Sequence, residues 1–371
     1  PGLAFFYGGL VRASSVVSMM MMSIGSLGLI GVMWVIYGYA MSFGGAGVGQ
    51  FVGIDGVFGI DLAKVGLEDV YAQAQDGDGL GLAFAGFQGT FAVITVALIS
   101  GAIADRARFG SWMVFAGLWA TLVYFPVAGW IFNFTVTDGK ITDGGWLVYN
   151  MGVMDFAGGT VVEVASGASA LALALVLGKR FGFTKGMHAP HNVPLVLIGV
   201  AILWFGWFGF NAGSELAADG IASLAFINTL VAPAAAMVSW AVYEQMAHGK
   251  PTSVGVGSGA ISGLVAITPS CAYLDPIWAL LLGLVVGVVC ALAIELKFIL
   301  GFDDSLDVVG IHLVGGLIGT LWIGVFGNGV GLAFGFGWGQ LGIQALGSLA
   351  VLVYSFVMAL LIGYAIEKTI G

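Results

Sequence analysis

Long apolar runs broken by short polar segments dominate the chain. Segments near 16–43, 81–104, 112–134, 156–178, 193–212, 221–245, 254–270, 277–300, 308–327 and 341–366 carry almost no charge. A helix needs about 20 apolar residues to cross about 30 Å of hydrocarbon at about 1.5 Å per residue. These ten segments are therefore predicted to be whole membrane-spanning helices. Residues 1–10 are apolar but too short to cross, and they open with neither a Met nor a charged leader region. They read as the end of an eleventh helix and not as a signal peptide. With the last residues stopping just after Glu367 and Lys368, the sequence is expected to be trimmed at both ends.

Composition sharpens this into a class. Of 371 residues, 59% are hydrophobic and only 8% charged, against roughly a quarter charged in a soluble domain. Mean hydropathy is +1.04. So few charges cannot solvate a water-soluble particle of this size, which excludes a cytosolic enzyme. The net charge of -9 argues against a nucleic-acid partner. Two cysteines, Cys271 and Cys290, exclude a disulfide scaffold and a Cys-rich metal or iron–sulfur site. The 62 glycines lack a collagen period and fit close helix packing in lipid. The expected fold is an all-α integral membrane protein.

Basic residues set the orientation. One set of alternate connections holds Arg12, Arg106, Arg108, Lys179, Arg180, Lys185, Lys250, Lys297 and Lys368, whereas the other holds only Lys64 and Lys140. The first set is therefore expected in the cytoplasm, with the C-terminus inside and the N-terminus outside. Acidic residues concentrate in the opposite loops, at Asp55, Asp61, Glu68, Asp69, Asp76 and Asp78. Such a face would mildly concentrate cations, although ordinary solvated loops look the same.

An odd helix count often hides two inverted halves plus one extra helix. Asp155 is followed eight residues later by Glu163, and Asp304 eight residues later by His312, with Gly315 and Gly316 beyond. Eight residues are just over two helical turns, about 12 Å of depth. Two such pairs, five helices apart, suggest matching polar groups projecting inward from each half.

An ionisable residue at membrane depth is costly and points to function. His312 is the one histidine inside a predicted span, and Glu163 lies mid-span. Asp155 stands at a helix start, where a carboxylate is a natural N-cap. Glu244 and Glu295 sit near cytoplasmic helix ends and fit snorkelling. Phe87 and Phe91 share a helix face, as do Phe210 and Ser214, with Trp207 one turn further in. Core packing alone explains rings at this spacing. A cation shedding water, however, also needs π faces and a hydroxyl oxygen in return. Met19 to Met22 read as packing or lipid contact. His188 and His191 read as a loop feature, not a metal site.

Four stretches carry a resemblance: Pro1 to Arg12 (PGLAFFYGGLVR), Asp155-Phe-Ala-Gly-Gly-Thr-Val-Val, Gly206-Trp-Phe-Gly-Phe-Asn-Ala-Gly-Ser214 and Asp307-Val-Val-Gly-Ile-His312. They resemble the ammonium transporter (Amt/Mep/Rh) family from Pro1 to the last helix. The resemblance implies eleven transmembrane helices, the first truncated here, in one membrane domain. Repeat one would cover about 1–178, an inverted repeat two about 193–327, and the extra helix about 341–366. It also implies a homotrimer in the plasma membrane with one pore per subunit, no cofactor and no enzymatic activity. A PII-type signalling protein would be the partner at the cytoplasmic face.

Carried over residue by residue, Phe87, Phe210, Ser214 and Asp155 would form the outer recruitment site, and Phe91 with Phe210 the gate. Trp207 would be a pore wall, and His312 the second of two pore histidines. At the first, this sequence has Glu163, as certain fungal members resemble it in having an acid there. The recruitment aromatic falls on Phe132, with Trp130 and Trp146 as rivals, across an apparent insertion at about 135–144.

Ammonium and potassium share charge and similar size, so selectivity must use the hydrogen bonds and the proton that ammonium can give up. An apolar tube favours neutral ammonia, and the Glu163/His312 pair is the natural proton relay. The alternative is an ammonium sensor coupled to a cytoplasmic signalling partner. A haem-bearing membrane enzyme would need paired axial ligands, which a lone His312 does not supply, and no Asn-Pro-Ala suggests an aquaporin.

Overall fold

The computed structural model describes residues 1–45, 51–183 and 189–371. Lys185 and His188 lie outside the described residues. Nine helices among the described residues are long and apolar enough to cross a membrane: Ala13–Ser42, Leu80–Ile103, Phe109–Phe132, Gly159–Leu177, Val193–Glu215, Gly220–His248, Pro276–Leu300, Val309–Phe326 and Gly339–Thr369. Each falls on a predicted span.

The remaining predicted segment, near 254–270, is also an apolar helix, but a shorter one than expected. Its helix, Ser253–Ile267, has 15 residues, about 22 Å of rise, and the chain goes on as turns through 268–273. Pro269 explains the stop, because a proline offers no N–H to continue the ladder; Thr268 before it still has helical dihedrals. The opening residues form a nine-residue helix, Gly2–Leu10, laid along Val193–Ala212. There Cβ atoms on Gly9 and Gly199 would come within 2.7 Å of Val196 N and 2.3 Å of Phe6 N.

Local chemistry starts the helices where the polar breaks occur. Asp219 accepts the Ile221 and Ala222 N–H groups at 2.9 and 3.0 Å, and Asn192 accepts Leu195 N–H at 2.9 Å. Thr252 accepts Gly255 N–H at 2.9 Å. Each satisfies donors that a first turn leaves unpaired. Met19 and Met22 are buried and Met21 is exposed, so the methionine run both packs and faces outward.

Two antiparallel hairpins, Phe51–Ile54 with Phe58–Asp61 and Phe134–Thr137 with Lys140–Gly144, cap one end of the bundle. The second fills the predicted insertion and turns on Asp138 and Gly139, both at positive φ, as a tight two-residue turn requires. Trp146 N–H donates to Gly56 O at 3.1 Å and ties the hairpins together. The opposite end carries Arg12, Arg106, Arg180 and Lys297. Arg106 reaches the Gly178 and Asp303 carbonyls there, joining three connections.

Candidate functional site

Near the hairpin end, four phenylalanines from three helices meet. Phe91 and Phe210 stack, with ring centroids 4.2 Å apart and planes 28° apart. Phe87 lies edge-on to Phe91 at 4.9 Å, and Phe132 edge-on to Phe91 at 6.0 Å. Phe87, Phe132 and Phe210 are half-buried, whereas Phe91 is buried. The rings thus form a cup whose floor is the Phe91–Phe210 stack. Trp207 extends it at 5.2 Å from Phe210 and donates its Nε1–H to Thr268 Oγ1 at 2.8 Å. The Ser214 hydroxyl donates to Phe210 O at 2.7 Å, which leaves its oxygen lone pairs as acceptors at the rim.

The two rivals of Phe132 go elsewhere. Trp130 donates to Val57 O at 2.5 Å and packs on Trp146 and Tyr354, at 5.5 and 4.9 Å. Phe132 thus joins the cup, whereas the Trp130 ring packs with those of Trp146 and Tyr354.

Among the described residues, Asp155 binds one side chain, that of Thr160. Its Oδ1 accepts Gly158 and Gly159 N–H at 2.9 and 2.7 Å. Its Oδ2 accepts Thr160 N–H at 2.8 Å and the Thr160 hydroxyl at 2.5 Å. Both oxygens are therefore spent on the first turn of the helix that carries Glu163, the arrangement of a capping carboxylate.

Glu163 and His312 meet in the middle of the bundle. His312 Nδ1 lies 2.5 Å from Glu163 Oε2, with His312 3% and Glu163 0% exposed. The two side chains thus share one short contact shielded from solvent. The ring's Nε2 is left for another partner, and Glu163 Oε1 has no hydrogen-bond partner among the described residues.

The backbone places them. Glu163 lies in a π-turn, Gly159–Val164, and His312 in another, Val309–Leu313. Such turns recur at functional sites because the extra residue re-aims a side chain. Each follows a left-handed residue, Gly158 and Asp307 respectively. Each also follows an acid: Asp304 Oδ2 accepts Val309 N–H at 2.7 Å, as Asp155 caps its own helix. Gly167, four residues after Glu163, would put a Cβ 2.4 Å from Leu313 N. Gly316, four residues after His312, would put one 2.7 Å from Glu163 Cβ. The helices cross on these two glycines.

Several elements of this centre carried no reading from sequence: the Thr160 hydroxyl, Thr268, Gly167 and the π-turns. The eight-residue acid spacing was the available signal. Glu244 makes more than a snorkelling contact, since its carboxylate accepts Thr252 N–H at 2.6 Å and Trp240 Nε1–H at 3.3 Å. Glu295 is exposed. His191 Nδ1 lies 3.0 Å from Val11 O, and no cluster of metal-ligating side chains occurs among the described residues.

Comparison with known proteins addresses the whole chain. The Ammonium Transporter Family matches residues 1–371. The chain is 49% identical over 393 aligned positions to the ammonium transporter of Mycobacterium tuberculosis (strain ATCC 25618 / H37Rv), covering 100% of this chain and 82% of that protein. Among solved structures it is similar to Candida albicans Mep2, with 33% identity and a TM-score of 0.87 over 100% of this chain and 81% of that one. It is also similar to a structure titled "Sensor Amt Protein", with 28% identity and a TM-score of 0.88 over 100% and 89%. The chain belongs to the ammonium transporter family.

Proposed function

We propose that the chain takes ammonium at the phenylalanine cup, strips its proton, and passes ammonia and proton inward by separate routes. The observation that carries this reading is the buried Glu163–His312 contact at 2.5 Å, beyond a stacked Phe91–Phe210 barrier. A cation entering the cup loses water. The faces of Phe87, Phe132 and Phe210 and the Ser214 oxygen offer partial replacement, with cation–π contacts worth about 0.5–2 kcal/mol each. Past the stack an intact charge loses the cup's ring faces and hydroxyl and must be carried through apolar surroundings to reach Glu163, so ammonia is the favoured passenger.

In this reading Asp155 acts through the helix it caps, and Trp207 walls the pore. Glu163 and His312 hold the released proton as one coupled site whose two protonation steps belong to the pair. Glu163 in place of an imidazole leaves a fixed acid in the pore, which makes it more tolerant of other cations. The hairpin end faces outward and the basic end the cytoplasm, as the lysine and arginine distribution supports. A homotrimer of two inverted repeats and an extra helix completes the assembly. A PII-type signalling protein is the proposed partner at the basic end.

A second reading is favoured by the likeness to the structure titled "Sensor Amt Protein": occupancy of the same cup signalled to a cytoplasmic partner. Proteoliposomes separate the two. With an inward ammonium gradient, transport predicts ammonium accumulation above protein-free vesicles. A pure sensor predicts ligand binding with flux at the protein-free level.

A further inference from the structure

The turn that leads into the His312 helix carries a second capping acid, and it is not equivalent to the first. Asp304 is 1% exposed, and its Oδ2 accepts Val309 N–H at 2.7 Å. Its Oδ1 is buried and has no hydrogen-bond partner among the described residues. Asp155 does the same capping with both oxygens filled. Capping alone therefore does not require an orphaned carboxylate oxygen, which is costly to keep ionised in a dry site.

The groups around Asp304 explain why it stays open. Lys297, at the end of the neighbouring span, donates to the main-chain oxygen of Asp304 at 3.1 Å and to the Asp307 carboxylate. Asp303 is engaged by Arg180 at 2.8 and 2.9 Å and lies 3.9 Å from Arg106. Tyr7, on the Gly2–Leu10 helix, directs its hydroxyl to Leu98 O at 3.0 Å. Burial pushes the Asp304 carboxyl up to about 6, with Lys297 opposing and Asp307 reinforcing the rise. Ser305, Leu306, Asp307 and Lys297 line a cavity of about 380 Å³ at the basic end. Asp304 thus sits one residue behind the wall of that cavity.

We propose that Asp304 is a positioning residue for the relay that responds to proton activity at the basic end. Its charged form holds the first turn of the His312 helix, and a proton arriving through the inner cavity weakens that hold and slows transport. Hydrogen bonds to ionised acceptors are about twice as strong as those to neutral ones, so protonation loosens the Val309 contact. The sign follows from the raised value. The hold is present above about 6 and lost as pH at the basic end falls through it. Inward delivery of protons would then be slowed by accumulated acid.

This inference rests on the transport reading, and its test separates the two. Reconstituted wild-type protein and Asp304→Asn are compared at fixed external pH, with internal pH stepped across about 6. Asparagine keeps an oxygen for Val309 N–H but cannot ionise; Asp304→Ser serves if the first variant does not assemble. At alkaline internal pH the variant is expected about fivefold slower than wild type. In acid the two rates converge. A variant that follows wild type at both pH values overturns the proposal, as does one that is folded yet inactive. Infrared difference spectra of wild-type protein over the same pH step provide a readout independent of flux. A protonated-carboxyl C=O band that grows in wild type and is absent in the variant is expected, and its absence in wild type overturns the proposal. Wild-type vesicles without flux would instead fail the transport reading, with the infrared result still judging Asp304.

Discussion

Glu163 lies against Gly316 so closely that a Cβ on the glycine would fall 2.7 Å from that of the glutamate. Reciprocally, Gly167 meets the backbone of Leu313, the residue after His312. Lipid offers no hydrophobic drive for helix pairing, so close van der Waals approach over small residues must hold the crossing. The Glu163–His312 contact depends on that approach.

Gly316→Ala is accordingly expected to destabilise the protein by about 1–3 kcal/mol through overpacking. It should also reduce transport, because the two π-turns must separate. Thermal unfolding in detergent, read beside flux, measures both. Gly28→Ala is the control: a Cβ there meets nothing within 4 Å. It is expected to be neutral or stabilising by up to about 1 kcal/mol.

The phenylalanine cup makes a prediction about identity. Tryptophan is the strongest cation–π ring, and about 1 kcal/mol of added attraction corresponds to about fivefold in affinity. Phe132→Trp is therefore expected to lower the half-saturating ammonium concentration severalfold, and Phe210→Ala to raise it. Trp130→Phe and Trp146→Phe, which alter rings packed on Tyr354 and on each other, should leave it unchanged. Concentration series of the initial rate decide between them.

Replacing Glu163 by His removes the fixed acid and gives two imidazoles. The expected outcome is sharper discrimination of ammonium against potassium, measured as the ratio of their currents in the variant and in wild type. Equal ratios would show that the acid does not set selectivity.

At the basic end, Arg180 pairs with Asp303 through two side-chain bonds while Asp303 is fully buried. Burial by itself would raise the Asp303 carboxyl, but Arg180, helped by Arg106, holds it below the usual range. A depressed carboxyl contributes stability above its ordinary range and loses it as pH falls through the lowered value. Arg180→Ala leaves Asp303 with Arg106 3.9 Å away as its remaining cation and with the main-chain N–H of residue 180, and with Arg180 itself partly exposed the loss is expected at about 1–2 kcal/mol. The deficit should shrink in acid, as thermal unfolding against pH would show.

Much of this was legible in the chain. Apolar run length located every long span, because hydrocarbon thickness leaves little choice. The Ser253–Ile267 helix was located as well but read as too long, since hydropathy continues past Ile267 while Pro269 ends the backbone ladder. Glu163 and His312 stood out as charges where charge is expensive. Their pairing was expected from the matching acid spacings, whereas the backbone that brings it about was not readable, because it depends on where Gly167 and Gly316 let two helices cross and on π-turns that no side-chain period announces. Phe132 could not be told from Trp130 by sequence alone, because the hairpin at Phe134–Thr137 and Lys140–Gly144 shifts the count between them.

The most direct measurement is the transient current of purified protein on a solid-supported membrane after an ammonium pulse, compared between wild type and His312→Ala. If the proton travels by Glu163 and His312 while ammonia takes the apolar tube, wild type gives a current and the variant gives none. A variant current equal to that of wild type would contradict the account, because charge would then be crossing without the relay.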